Sequence, residues 1–193
     1  MEWSVEKQEG RLQGWIGYTL SRTERSNFRK IDPNAQFAQQ RPFSPIYDRR
    51  HDLSIVATYE INRRLTASAT FVYGSGDLRW LPEGRFTFQD VPLSNLEAIV
   101  PDFGDRNNYR LPAYHRLDLG LVWKFSPKWG NSDLTFSIVN VYDRRNTFFI
   151  FFEPEGEVEI GTGDAAITLP ERIAAKQVSL FPILPAFTYN FKF

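Results

Sequence analysis

The chain has 193 residues, with 23 Lys+Arg balanced by 23 Asp+Glu, and a mean hydropathy of −0.39. Balanced charge offers nothing that recruits nucleic acid or an anionic surface, and the absence of cysteine removes disulfide frameworks, thiolate zinc sites and cysteine nucleophiles. No stretch approaches the roughly 18–20 apolar residues of a membrane helix, so a helical membrane protein is excluded; strands, whose polar side dilutes the average hydropathy, are not.

Turn signals cut the sequence into strand-length pieces. The opening residues lack the basic region and apolar core of a signal peptide, and the expectation is that the chain is a piece of a longer protein. Residues 3–8 read as a short strand meeting the Glu9-Gly10 turn. From Arg11 the alternation is clean, with Leu12, Gly14, Ile16, Tyr18 and Leu20 on one face and Gln13, Trp15, Gly17, Thr19 and Ser21 on the other. Residues 26–45, polar and carrying Pro33 and Pro42, read as a loop.

A second such strand covers 52–61, with Leu53, Ile55, Ala57, Tyr59 and Ile61 opposite Ser54, Thr58 and Glu60; Asn62-Arg63 is a minimal turn. The strand at 65–73 sets Leu65, Ala67, Ala69, Phe71 and Tyr73 against Thr66, Ser68 and Thr70. Residues 74–110 contain Pro82, Pro92 and Pro101 and read as a long irregular segment. The strand at 115–125 alternates Leu117, Leu119, Leu121, Trp123 and Phe125 with Arg116, Asp118, Gly120 and Lys124, and a short turn follows at 126–132. Another strand at 134–142 is less regular around Val139-Asn140, with a resumption at Phe148–Phe152 as an option. An acidic loop covers 153–175, and the final strand 177–193 ends in the ladder Phe187, Tyr189, Phe191, Phe193.

Connections thus alternate between short (8–11, 62–64, 126–132) and long (26–46, 74–110, 153–175). Aromatics reach 16% of the chain, a share that suits girdles at two membrane interfaces. Together these features predict an all-β fold, an antiparallel transmembrane β-barrel segment in the outer membrane of a Gram-negative cell. The apolar faces then meet outer-membrane lipid, the long loops face outward and the C-terminus is periplasmic. About seven strands are expected, an odd count that leaves two open edges; a sheet cannot span lipid that way, so the remaining strands belong to the same native protein or to another chain. A soluble β-sandwich is the rival reading, and it predicts refolding in buffer without detergent.

Five segments carry a family resemblance. They are 14–21 (GWIGYTLS), 47–53 (YDRRHDL), 111–118 (LPAYHRLD), 136–143 (FSIVNVYD) and the terminal 187–193. In this order they resemble the last third of a TonB-dependent outer-membrane receptor, of the Bacteroidota type with a carboxypeptidase-like N-terminal extension. The resemblance covers essentially residues 1–193 and implies the C-terminal part of a plugged barrel of about 22 strands. No plug domain or TonB box is present, so the chain would supply wall and loops for substrate uptake as a receptor/transporter component. The alternative is a structural or protein-binding outer-membrane subunit without transport of its own, its loops at 26–45 and 74–110 holding a surface lipoprotein partner.

Chemistry-bearing residues are few. His51 and His115 are the only histidines, far apart in sequence, and no nucleophile elbow, Walker loop or zinc motif occurs; no enzyme activity, catalytic residue, cofactor or metal is expected. Arg50 and Asp52 share one face, as do Arg116 and Asp118, and with Trp15 they are the candidate lumen-facing residues: contacts to plug or substrate, or charges satisfying one another. The loop residue Trp80 is a weaker candidate of the same kind. Glu153, Glu155, Glu157, Glu159 and Asp164 raise a calcium reading, but EF-hand spacing is missing and a solvated external loop is the simpler one. Phe187, Tyr189, Phe191 and Phe193 resemble the C-terminal signal read by the outer-membrane assembly machinery, an exposed strand that templates edge pairing, or they close the barrel. Charging Leu119 is expected to cost more than placing polar groups at Gly120 or Val122.

Overall fold

A computed structural model describes residues 1–26, 42–88, 98–126, 130–156, 158–160, 167–169 and 172–192. Among these there is no helix. Seven strands form one antiparallel sheet: β1 (Glu2–Lys7), β2 (Leu12–Leu20), β3 (His51–Asn62), β4 (Leu65–Gly74), then, after two nested strand pairs, β9 (Tyr114–Phe125), β10 (Asn131–Val139) and finally β15 (Leu184–Lys192). They lie side by side in chain order, with β1 and β15 as the two edges. The strand count expected from the alternation is met, and the sheet is not closed on itself.

The tight ends have local causes. Gly10 turns β1 into β2 at φ 91°, a backbone that glycine adopts without strain. The β3–β4 hairpin closes over Arg63-Arg64 because the Asn62 carboxamide oxygen accepts the N–H groups of Arg64 (2.8 Å) and Leu65 (3.0 Å). At the other end β10 stops at Val139, since Asn140 takes φ 57° and turns the chain out of the ladder. That is the physical origin of the irregularity at Val139-Asn140.

Four expectations are corrected. Residues 74–110 are not irregular throughout: β5 (Leu78–Arg79) pairs with β8 (Tyr109–Arg110), and β6 (Gly84–Phe88) with β7 (Ala98–Asp102). Phe148–Phe152 does not resume β10. From Phe149 it belongs to β11 (Phe149–Glu155), which leaves the sheet and pairs with β14 (Arg172–Val178), while β12 (Val158–Ile160) pairs with β13 (Ile167–Leu169), so the described residues of 153–175 hold two nested strand pairs. The last stretch is two strands, because residues 179–183, including Pro182, separate β14 from β15. Nested antiparallel pairing gives a long connection internal partners for its backbone donors and acceptors. Proline is tolerated in it where no ladder donor is needed, as at Pro101 and Pro154.

The registers fix both faces. Opposed residues share a side, and one side runs Val5–Ile16–Ile55–Phe71–Leu117 across five strands. Further along it runs Ala67–Leu121–Phe136–Phe187. The other side carries Glu6–Trp15–Val56–Thr70–Asp118 and Thr58–Ser68–Gly120–Ser137–Ala186. The apolar face is not covered: Leu119 is 41% exposed, Trp123 51% and Phe187 73%. Among the described residues the only buried hydrophobics are Leu78 and Leu111, and both lie in the connections beyond the sheet's end. Gly120 has little spare room, because a Cβ there would come within 2.5 Å of Ser68 Oγ; the expected tolerance at this position is limited by space, not by polarity.

Candidate functional site

The long connections gather at one end of the sheet, and the densest polar cluster lies there. Asp48, just before β3, is 1% exposed. Its Oδ1 accepts the Thr23 N–H at 2.7 Å, and its Oδ2 pairs with the Arg110 guanidinium at 2.8 Å. Arg110 also donates to the carbonyls of Asp48 (2.6 Å) and Gly76 (2.8 Å). Gly76 makes this possible, since a Cβ there would lie 1.7 Å from the Leu111 carbonyl oxygen. Burial alone would raise the Asp48 pKa, but the Thr23 N–H, Arg110 and the nearby charge of Arg50 together lower it. Two separate connections, β2–β3 and β4–β9, are thereby fastened through one carboxylate.

Arg49 extends the cluster, with Nε donating to Asp77 at 2.8 Å and Nη1 3.9 Å from Asp52. The Asp77 hydrogen bond raises the Arg49 pKa further. The expected Arg50–Asp52 partnership is therefore replaced by Arg49–Asp52: Arg50 precedes β3 and is exposed, whereas Asp52 stands opposite Thr19 and Gly74 on the polar face. Arg116 and Asp118 do pair, at 2.9 Å, on that same face. Asp118 also accepts the Asn140 N–H at 2.9 Å. Asn140 is itself buried, its amide holding the Arg144 and Phe181 carbonyls and its oxygen the Arg144 N–H.

Trp15 lies on the polar face between Glu6 and Val56, away from the Arg116–Asp118 pair. Its ring covers Gly17, where a Cβ would come within 3.2 Å. With Asp52, Glu2 and Ser54 it lines an open recess of about 320 Å³ beside the β1 edge. Trp80 packs on Phe103 with ring centres 4.9 Å apart, inside the loop cluster.

The two histidines stay apart, each paired with a tyrosine. His51 Nδ1 is 2.6 Å from the Tyr18 hydroxyl and His115 Nδ1 is 2.8 Å from that of Tyr142. Trp3 stacks on Tyr18 at 5.4 Å and 13°, which makes an aromatic row along this end of the apolar face. Trp123, Phe125 and Tyr189 form a second row at the short-turn end. Glu153 and Glu155 both bind Lys176 Nζ, at 2.7 and 3.1 Å, which keeps these carboxylates engaged with a cation of their own hairpin. Glu157 and Asp164 lie outside the described residues, as does Phe193. Phe187, Tyr189 and Phe191 are exposed along β15, the sheet's edge.

Sequence reasoning missed Asp48, Arg49, Asp77, Arg110 and Asn140. Asp48 and Arg49 sit inside the segment 47–53 that carried the resemblance, but an ion pair across 62 residues of chain leaves no periodic trace. No family model, no curated protein and no solved structure matches this chain.

Proposed function

We propose that the chain is a stretch of outer-membrane β-barrel wall, the C-terminal part of a TonB-dependent receptor that supplies wall and external loops for substrate uptake. The observation that carries this reading is the uncovered apolar stripe across seven neighbouring strands. In water such a face would be left without a second layer, although sheets are stable there only when one face is packed; in lipid it needs none. The two aromatic rows bound the stripe. From Tyr73 to Leu65 the chain travels roughly 27 Å, which a strand tilt of about 40° reduces to roughly 20 Å, close to the ~25 Å apolar band of outer-membrane barrels. The long connections at one end and short turns at the other fit external loops and periplasmic turns.

The seven strands make β1 and β15 run in the same direction. An all-antiparallel closure then requires further strands between these edges, which the same native protein or another chain must contribute. The nested, fastened hairpins of the long connections favour a second reading, a protein-binding outer-membrane subunit without transport of its own. The two diverge on whether a plug occupies the polar side.

Single-tryptophan variants test the wall. Keeping only Trp123, on the apolar face, or only Trp15, on the polar face, the chain together with the strands that close its edges is folded into vesicles containing lipids brominated on their acyl chains. Strong quenching of Trp123 and little of Trp15 is expected. Equal quenching, or a folded monomer in plain buffer, would remove the membrane reading. A photo-crosslinker in place of Trp15 then separates transporter from binding subunit, since only the former captures a plug segment in the native protein.

A further inference from the structure

A chain that is neutral overall carries a local excess of positive charge at the short-turn end of the polar face. There a recess of about 540 Å³ is lined by Arg63, Arg64, Lys124 and Lys192 against a single carboxylate, Asp133. Register places the group on one side of the sheet: Lys124 opposes Asp133, Asp133 opposes Asn190, and Lys192 opposes Asn131 one pleat further on. The Lys124 N–H donates to the Arg64 carbonyl at 2.7 Å, which brings the β3–β4 turn to the same spot. Gly130 lets the β9–β10 turn lie close, since a Cβ there would come within 2.2 Å of the Lys192 carbonyl oxygen. The Asp133 carboxylate is already engaged, accepting from the Asn190 amide at 2.8 Å. Among the described residues none of the four cations has a side-chain hydrogen bond or ion pair, and all four are exposed.

Their spacing selects the shape of the counter-ion. Arg64 begins β4 and Lys192 ends β15, three strand steps apart, which is roughly 14 Å across neighbouring strands, and Lys124 stands between them. One compact anion at the centre would meet Asp133 and leave the outer cations unmatched. An extended peptide with a carboxylate on every second residue spreads three of them over about 14 Å as well. Exposed ion pairs are weak one by one, so binding needs several matched at once. The cations lie on the face opposite the aromatic row of Trp123, Phe125 and Tyr189, so their counter-ion is not the headgroup of a lipid that meets that row. Nor does the acidic connection of this chain supply it, because Glu153 and Glu155 hold Lys176 at the other end of the sheet.

We propose that this recess docks an extended acidic segment of a partner protein, its carboxylates on Arg64, Lys124 and Lys192, with Arg63 joining from the turn. The cations keep this placement whatever meets the apolar face. The probe is a capped peptide, Glu-Thr-Glu-Thr-Glu, bearing a neutral fluorophore. Gln-Thr-Gln-Thr-Gln is its uncharged match, and inorganic phosphate is the compact anion. Fluorescence anisotropy is read on the chain together with the strands that close its edges, in a non-ionic detergent. Circular dichroism first shows each variant folded, so a folding failure is read separately.

Saturable binding of the Glu peptide at low salt is expected, weakened about tenfold once salt screens the exposed charges. Arg64→Gln, Lys124→Gln and Lys192→Gln should each weaken it about threefold, and the three together more than about tenfold. Asp133→Asn, which keeps an acceptor for Asn190, should tighten it. Arg22→Gln, at the long-connection end, should change nothing. No binding to the folded protein, equal affinity for the Gln peptide, displacement by equimolar phosphate, or an unaltered triple variant would overturn the proposal. So would self-association that the triple variant abolishes, since a second copy would then fill the recess.

Discussion

Leu119→Arg separates a lipid-facing sheet from a water-facing one by magnitude. Leu119 stands between Ala69 and Ile138, about midway along β9 between the two aromatic rows, and is 41% exposed. In water, a surface substitution at such a position changes stability by at most about 0.5 kcal/mol. At a bilayer midplane an outward arginine costs about 2–4 kcal/mol, which lowers the folding equilibrium roughly 30- to 1,000-fold. The matched control is Ser137→Arg at similar depth on the other face, where Gly120 and Ala186 are its small neighbours. It should cost less than about 1 kcal/mol. Reversible denaturant titration in thin-chain lipid vesicles, of the chain together with the strands that close its edges and followed by tryptophan fluorescence, gives both values. Equal costs at 119 and 137, or a Leu119→Arg cost below about 0.5 kcal/mol, would refute the assignment of faces to solvents.

Asp48→Asn should loosen the clasp among the long connections by about 1–3 kcal/mol, since it removes the charge that Arg110 holds; faster amide exchange at Thr23 and Arg110 reports it. The Asp48 carboxyl has a folded pKa below its ordinary 3.8, so its stabilisation is full above that value and is lost as the pH falls through the lower folded one. Acid should therefore open these connections, seen as protease nicking by an acid-active enzyme, before the strands separate. Gly14→Ala should destabilise the β2–β3 pair by about 1–3 kcal/mol, because φ is 151° and a Cβ would sit 2.0 Å from the Val56 carbonyl oxygen; a denaturant midpoint unchanged from wild type would contradict this. Lys176→Ala leaves Glu153 and Glu155 facing each other without their cation, and faster backbone exchange in β11 and β14 is the expected sign.

Alternation of side chains was enough to place the seven strands of the sheet and the side their residues occupy, though not the break that separates β14 from β15. Period two is imposed by the pleat itself, and a slip of one residue would exchange the faces. Trp15, Asp52, Arg116 and Asp118 accordingly fall on the polar side expected of them, and Leu119 and Phe187 on the other. The hairpins in the long connections were not legible, since Pro82, Pro101 and Pro154 signal breaks while the pairing that overrides them comes from residues far along the chain.

Tertiary structure alone decided the cluster at the loop end. Asp48 and Arg110 lie outside the alternating segments, and Asn140 at the irregular end of one. Only the folding of the long connections onto one another buries Asp48 and Asn140 and selects their partners. Local physics repeats along a strand and can be read from its pattern; the meeting of two loops is a single event in space and leaves no period behind.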